Sequence, residues 1–346
     1  MKQLNETKKE SASSFSVENL RGILLPFTTP FNKSGDVDGQ GLRSNILKWN
    51  ETGIRGYVAL GSTGERVHLS ETERAALIET ARECVPKNLV FIVGAGQQSV
   101  RGTFGEIRRA AELGADAVLV ITPHFYRGAM TQGALFKYYW AVADEARVPV
   151  VLYSMPELTG VTIAPETVAR LSEHENIAGI KDSSGDVINL AETLRLVPED
   201  FAVMTGNGAS FYAALAEGVR GAILAVGCVA TRETLAIFGA VQRGEHERGR
   251  RLQERLTPLA LAVTRRYGIG GLKAALDMIG YAGGHVRAPL EDASENARRE
   301  ISGLLEEAAL PVDENIADET STDDATLKDE ARARVVDYRL AGATKE

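Results

Sequence analysis

Lys181 is the residue whose type and place most invite covalent chemistry. It ends the apolar run 177–180 and is followed by Asp182-Ser183-Ser184-Gly185. A short continuous apolar run closed by small polar residues and Gly reads as a buried parallel strand passing into a loop. Sites collect at the carboxyl ends of such strands, where an ammonium is partly desolvated. Desolvation disfavours the charged form and yields the free amine that attacks a carbonyl. Taken alone, a strand-end lysine more often lays its stem along the surface and keeps its head in water. Tyr153 closes another apolar run. Its ordinary role is packing, but opposite a neutral lysine a phenol can shuttle protons. Gly61-Ser62-Thr63-Gly64-Glu65 closes a third. Its bland reading is a turn. At a site, its glycines admit close approach of a ligand and its successive N–H groups suit a carboxylate. Ser62 and Thr63 add hydroxyl donors, and Glu65 is expected to brace the loop.

The elements that would position these residues alternate along the chain. Strand patterns cover 22–31, broken by Pro26, 56–60, 89–93, 117–121, 148–153, 177–181, 201–204 and 221–226. Each is followed by a helical pattern: 41–51, 70–84, 103–113, 133–146, 165–172, 187–197, 210–216 and 231–242. Ser70-Glu71-Thr72-Glu73 reads as a helix start, a serine cap with glutamate three residues on. Strand–helix alternation demands a parallel sheet with right-handed crossovers. Eight such units in roughly 250 residues specify a TIM (β/α)8 barrel. A doubly wound open sheet competes, but no Gly-x-Gly-x-x-Gly follows the first strand. Helical patterns alone follow at 245–267, 271–281 and 294–308, with Leu252, Leu256, Leu259 and Val263 at helical spacing. The domain expectation is therefore a disordered segment 1–20, the barrel 21–244, C-terminal helices 245–310 packed on it, and an acidic, disordered tail 311–346.

Composition narrows the function classes. Of 346 residues, 44% are hydrophobic and 25% charged, an ordinary globular balance. The net charge of −8 is uneven, since 311–346 holds ten acidic against five basic residues. A near-neutral body without a basic patch argues against nucleic acid. Cys84 and Cys228 give neither a disulfide framework nor a metal motif. The five histidines are scattered, which argues against a metal-dependent aldolase. No apolar run approaches transmembrane length and residues 1–16 carry no signal core, so a cytoplasmic protein without a membrane partner is expected.

Gly61-Ser62-Thr63-Gly64-Glu65, Tyr153-Ser154-Met155-Pro156 and Gly179-Ile180-Lys181-Asp182-Ser183, in that order and each at a strand end, resemble the signatures of the dihydrodipicolinate synthase / N-acetylneuraminate lyase superfamily. The resemblance covers about residues 21–305. It implies a class I aldolase on a TIM barrel, without metal or organic cofactor, acting on pyruvate and an aldehyde. It implies that Lys181 forms the imine with a 2-oxo acid, that Tyr153 relays protons and that Ser62 is its hydroxyl partner. Thr63 and nearby N–H groups would hold the carboxylate, and Ser183 and Gly206 would lie near the substrate. A homo-oligomer, dimer or tetramer, is implied as well. Two positions depart from the pattern. Leu158 stands where dihydrodipicolinate synthases usually carry a carboxylate-binding arginine. Phe125 stands where the family commonly places a tyrosine that reaches a neighbouring subunit's site; either the relay is shorter here or the adjacent Tyr126 substitutes in substrate binding.

Longer segments, 122–130, 181–186, 263–268 and 287–290, are similar to the 4-hydroxy-2-oxoglutarate aldolase branch. The functional expectation is cleavage of 4-hydroxy-2-oxoglutarate to pyruvate and glyoxylate. The alternatives are 4-hydroxy-tetrahydrodipicolinate synthesis from pyruvate and aspartate semialdehyde, a 2-keto-3-deoxy sugar acid aldolase or dehydratase, and a non-catalytic 2-oxo acid binding protein.

Overall fold

The computed structural model describes residues 15–309. Eight parallel strands close in chain order into a barrel: β1 (Gly22–Leu25), β2 (Gly56–Ala59), β3 (Val90–Ala95), β4 (Ala117–Ile121), β5 (Val150–Ser154), β6 (Ile177–Asp182), β7 (Ala202–Thr205) and β8 (Gly221–Ile223). The pleat sends successive side chains to opposite faces. Leu24, Val58, Ile92, Leu119, Val151, Met204 and Ile223 fill the interior. Leu25, Tyr57, Phe91, Val118, Leu152, Ile180 and Val203 pack outward under the helices. Burial on both faces is why each strand reads as an unbroken apolar run. The fold is the expected TIM barrel.

Helices Gly39–Trp49, Glu71–Cys84, Val100–Glu112, Gln132–Glu145, Pro165–Leu171, Val187–Leu196, Phe211–Ala216 and Thr231–Gln242 follow the strands in turn. The cap expected at Ser70 forms: its hydroxyl accepts the Glu73 N–H at 3.2 Å, and its own N–H donates to the Glu73 carboxylate at 2.8 Å. Beyond the barrel come helices His246–Leu261, Gly268–Met278 and Glu295–Ala308. No helix among the described residues is long and apolar enough to cross a membrane.

The structure corrects several boundaries. β1 stops at Leu25, at the break expected at Pro26, which has no N–H to offer the ladder, and does not resume to residue 31. β2 stops at Ala59, since Leu60 adopts a left-handed φ of 54°. β8 ends at Ile223 and a 3-10 turn occupies Val226–Cys228. A short helix, Pro156–Thr159, outside the expected patterns, follows β5; Pro156 starts it and Gly160, at φ 65°, closes it. The helix expected over 245–267 ends at Leu261 and continues as a π-helical segment, Ala262–Arg266. The segment expected to be disordered, 1–20, is ordered in its last residues. Val17–Leu20 forms a 3-10 turn, and Phe15, Val17 and Leu20 pack on the barrel's interior cluster. The remaining expectation for 1–14 and that for the acidic tail lie outside the described residues.

Candidate active site

β5 and β6 bring the two central residues together. Tyr153 pairs in register with Lys181, and Lys181 with Met204 of β7. Tyr153 and Met204 belong to the interior cluster. Lys181 and Tyr153 are 5% and 3% exposed, and the Lys181 Nζ lies 4.4 Å from the centre of the Tyr153 ring. A lysine this buried has not run out into solvent.

The backbone around Lys181 is held from both sides. The Ser183 N–H donates to the Ser154 carbonyl at 2.9 Å, and the Gly206 N–H donates to the Asp182 carbonyl at 2.6 Å. The Asp182 side chain is engaged by the residues that follow β6. It accepts from the Ser184 N–H at 2.7 Å, the Ser184 hydroxyl at 2.5 Å and the Asn189 amide at 3.0 Å. Burial pushes its carboxyl above the ordinary range against those bonds. Gly206 is a glycine for a steric reason. A Cβ there would sit 1.9 Å from the Ser183 Oγ and 2.6 Å from the Lys181 Cε. Ser183 and Gly206 are thus beside the lysine's stem.

Ser62 reaches the same group from β2. Its Oγ lies 3.1 Å from the Tyr153 hydroxyl. The turn that carries Ser62 and Thr63 is bounded by two non-glycine residues in the left-handed region, Leu60 at φ 54° and Glu65 at φ 52°. Such conformations cost about 1–3 kcal/mol each and persist only where the surroundings impose them. Gly94 of β3 makes room for the first, since a Cβ there would lie 2.2 Å from the Leu60 carbonyl oxygen. Within the turn the Gly64 and Glu65 N–H groups bond back to the Gly61 and Ser62 carbonyls, each at 3.1 Å. The Thr29 hydroxyl donates to the Gly64 carbonyl at 2.8 Å. Thr63 is buried there.

Tyr126 does not join this group within the chain. It and Phe125 are 70% and 74% exposed, their rings meeting edge to face at 5.1 Å. Leu158, on the short helix after β5, is exposed as well. Among the described residues, no group of three or more His, Cys, Asp or Glu side chains is arranged to hold a metal ion.

One partnership was not anticipated from sequence. Glu65 and Lys273 are both 1% exposed at the side chain, with Lys273 Nζ 2.5 Å from Glu65 Oε1. Burial lowers the Lys273 pKa against the opposing pull of Glu65. A lysine in the otherwise apolar stretch Gly271-Leu272-Lys273-Ala274-Ala275-Leu276 was the available signal, because a buried charge demands a partner.

A buried amine beside a phenol that itself meets a hydroxyl supplies what imine chemistry needs: a nucleophile and a short chain of exchangeable protons. Known proteins place the chain in a group that shares this barrel. The 4-hydroxy-tetrahydrodipicolinate synthase of Methanothrix thermoacetophila is 34% identical over 286 residues, 82% of this chain and 96% of that protein. That of Thermotoga neapolitana is 32% identical over 294 residues, 84% and 99% respectively. Among solved structures, a Bacillus anthracis dihydrodipicolinate synthase superposes with a TM-score of 0.80 at 29% identity, covering 84% of this chain and 99% of its own. A monomeric dihydrodipicolinate synthase variant gives 0.81 at 30%, covering 86% and 99%. The sequence profile of the Dihydrodipicolinate synthetase family spans residues 19–308, the whole barrel and the helices after it, and the chain belongs to that family.

Proposed function

We propose that this chain is a Schiff-base enzyme that joins pyruvate to an aldehyde, or releases pyruvate from the corresponding 4-hydroxy-2-oxo acid, through Lys181. The observation that carries the reading is the buried Lys181 amine 4.4 Å from the Tyr153 ring, with the Tyr153 hydroxyl 3.1 Å from Ser62. The Lys181 amine adds to the ketone carbon, its proton passing to the oxygen, and Tyr153 gives its hydroxyl proton to the departing hydroxyl, so that water leaves and an iminium and a phenolate remain. In the cleavage direction the Tyr153 phenolate, hydrogen-bonded by Ser62, takes the 4-hydroxyl proton, the C3–C4 bond breaks and its electrons pass into the iminium as an enamine. Protonation at carbon and hydrolysis free pyruvate and the amine. Condensation runs the same steps backwards. Thr63 and the turn 61–64 hold the 2-oxo acid carboxylate, and Ser183 and Gly206 flank the imine carbon. No metal or organic cofactor enters these steps.

The second substrate has two readings. The names of the relatives favour aspartate semialdehyde and 4-hydroxy-tetrahydrodipicolinate synthesis. The uncharged Leu158, together with the segments 122–130 and 263–268, favours glyoxylate and 4-hydroxy-2-oxoglutarate cleavage. The proposal extends to a cytoplasmic homo-oligomer in which the exposed Phe125 and Tyr126 are covered by a second copy; a monomer on gel filtration would overturn that part. Turnover measured in parallel decides the substrate. A kcat/KM for aspartate semialdehyde at least tenfold above that for 4-hydroxy-2-oxoglutarate supports the synthase, and the reverse supports the aldolase. Turnover of neither, with no pyruvate adduct, refutes the enzymatic reading.

A further inference from the structure

The turn 61–64 is strained at both ends, and its second end is held by residues from far along the chain. Glu65 keeps a left-handed backbone with its side chain sealed from solvent. One carboxylate oxygen faces Lys273 Nζ at 2.5 Å. The other accepts the Arg287 N–H at 3.0 Å and lies 3.2 Å from His68 Nδ1. Lys273 in turn donates to the His285 carbonyl at 2.5 Å and stands 4.4 Å from the centre of the Phe31 ring. The Arg287 guanidinium packs on the same ring at 4.3 Å, and the His285 N–H donates to the Phe31 carbonyl at 2.9 Å. A core lysine and a core glutamate, each buried, have been brought together at the residue that closes the turn carrying Ser62 and Thr63.

We infer that Lys273 and Glu65 are positioning residues for the reaction: the helix Gly268–Met278, outside the barrel, sets the turn that places Ser62 on Tyr153 and Thr63 at the substrate carboxylate. This rests on the Lys181 imine reading and adds a control on its pyruvate subsite. A hydrophobic pair of the same volume would fill the space as well, since buried ion pairs contribute little net stability. What the pair adds is a fixed direction. The carboxylate has to face Lys273 on one side and the Arg287 N–H on the other, and that orientation holds Glu65 in its left-handed conformation. Removing the ammonium leaves a buried carboxylate that turns to find water, and residues 62–64 turn with it. Lys273 itself is occupied by Glu65 and the His285 carbonyl, so it holds the turn instead of competing with Lys181 as nucleophile.

The test uses the full-length enzyme and its Lys273→Met, Glu65→Gln and Glu65→Gln/Lys273→Met variants. Each is titrated with pyruvate, trapped with borohydride and mapped, alongside steady-state kinetics and thermal unfolding. Lys273→Met is expected to raise the pyruvate concentration for half-maximal trapping at least tenfold, with the adduct still on Lys181. The accompanying loss of kcat/KM reaches about a hundredfold, the scale of a 1 Å misplacement. The double variant has no lone buried charge but also no ammonium to fix the direction of residue 65, so its stability partly returns while its half-saturation for pyruvate stays raised; wild-type half-saturation in the folded double variant would overturn the inference. Should Lys273→Met fail to fold, Glu65→Gln gives the same readout: it fills the same volume, but its single amide oxygen can face Lys273 or accept the Arg287 N–H and not both. Lowered melting temperature with unchanged half-saturation and kcat in the folded protein would show a purely structural pair and overturn the inference. A wild-type enzyme that traps no pyruvate on Lys181 would instead overturn the reading beneath it, whatever the variants do.

Discussion

Gly206→Ala is a one-carbon change whose consequence can be worked from distances. The added Cβ would lie 1.9 Å from the Ser183 Oγ, 2.6 Å from the Lys181 Cε and 3.0 Å from the Ser183 Cβ. The serine hydroxyl can rotate away. The residue-206 backbone cannot retreat easily, because its N–H is bound to the Asp182 carbonyl at 2.6 Å. Carbon atoms pack at about 3.5–4.0 Å, so the lysine stem has to give by about 1 Å. Overpacking of this kind costs about 1–3 kcal/mol of stability. An amine displaced by about 1 Å from its attack position costs about a hundredfold in rate. The assay is kcat/KM with pyruvate varied, together with the rate of borohydride trapping and a melting curve. The Ser183→Ala/Gly206→Ala pair sharpens it. That combination removes the 1.9 Å clash but leaves the 2.6 Å contact with Lys181, so activity is expected to stay low while stability partly returns. Wild-type trapping and kcat/KM in Gly206→Ala would refute the steric argument, and with it the part proposed for Gly206 beside Lys181.

Two further outcomes follow from single groups. Tyr153→Phe keeps the ring beside Lys181 and removes the hydroxyl that meets Ser62. It should still trap pyruvate at saturation, with kcat reduced 10²–10⁴-fold, the usual contribution of a positioned proton carrier; stopped-flow and steady-state assays check this. Glu73 is held at about pKa 2 instead of 4.5, chiefly by its hydrogen bonds from Arg287. A carboxylate depressed on folding stabilises the fold above its unfolded pKa and loses that contribution as pH falls through the folded one. Between about pH 4.5 and 2 the wild type should therefore lose stability more steeply than Glu73→Gln, a substitution that retains the helix cap. Urea midpoints measured across that window test it, and parallel curves would contradict it.

The barrel was legible because its strands are buried on both faces, so runs such as Ile177–Asp182 appear as unbroken apolar stretches with polar, glycine-rich ends. The proposed site residues were legible in the same pattern. Lys181, Tyr153 and Ser62 each stand at such an end, and closure of the barrel brings the ends to one mouth. What stayed hidden depends on local backbone or on distant partners. Nothing in the sequence announces the left-handed turn at Leu60 that stops β2 early. The apolar spacing through Leu259 and Val263 runs on past the change from α to π geometry at Ala262. Glu65 could be read as a brace, but its partner Lys273 lies in another helix far down the chain, and only folding joins them. Tyr126, read as a candidate for the substrate site, stands exposed within the single chain because its loop carries it outward beside Phe125.

Borohydride reduction in the presence of pyruvate, read by intact mass and peptide mapping on the full-length protein, tests the central claim most directly. The account predicts a single reduced adduct on Lys181, absent from Lys181→Ala. An adduct on Lys273, or none at all on folded protein, would contradict it.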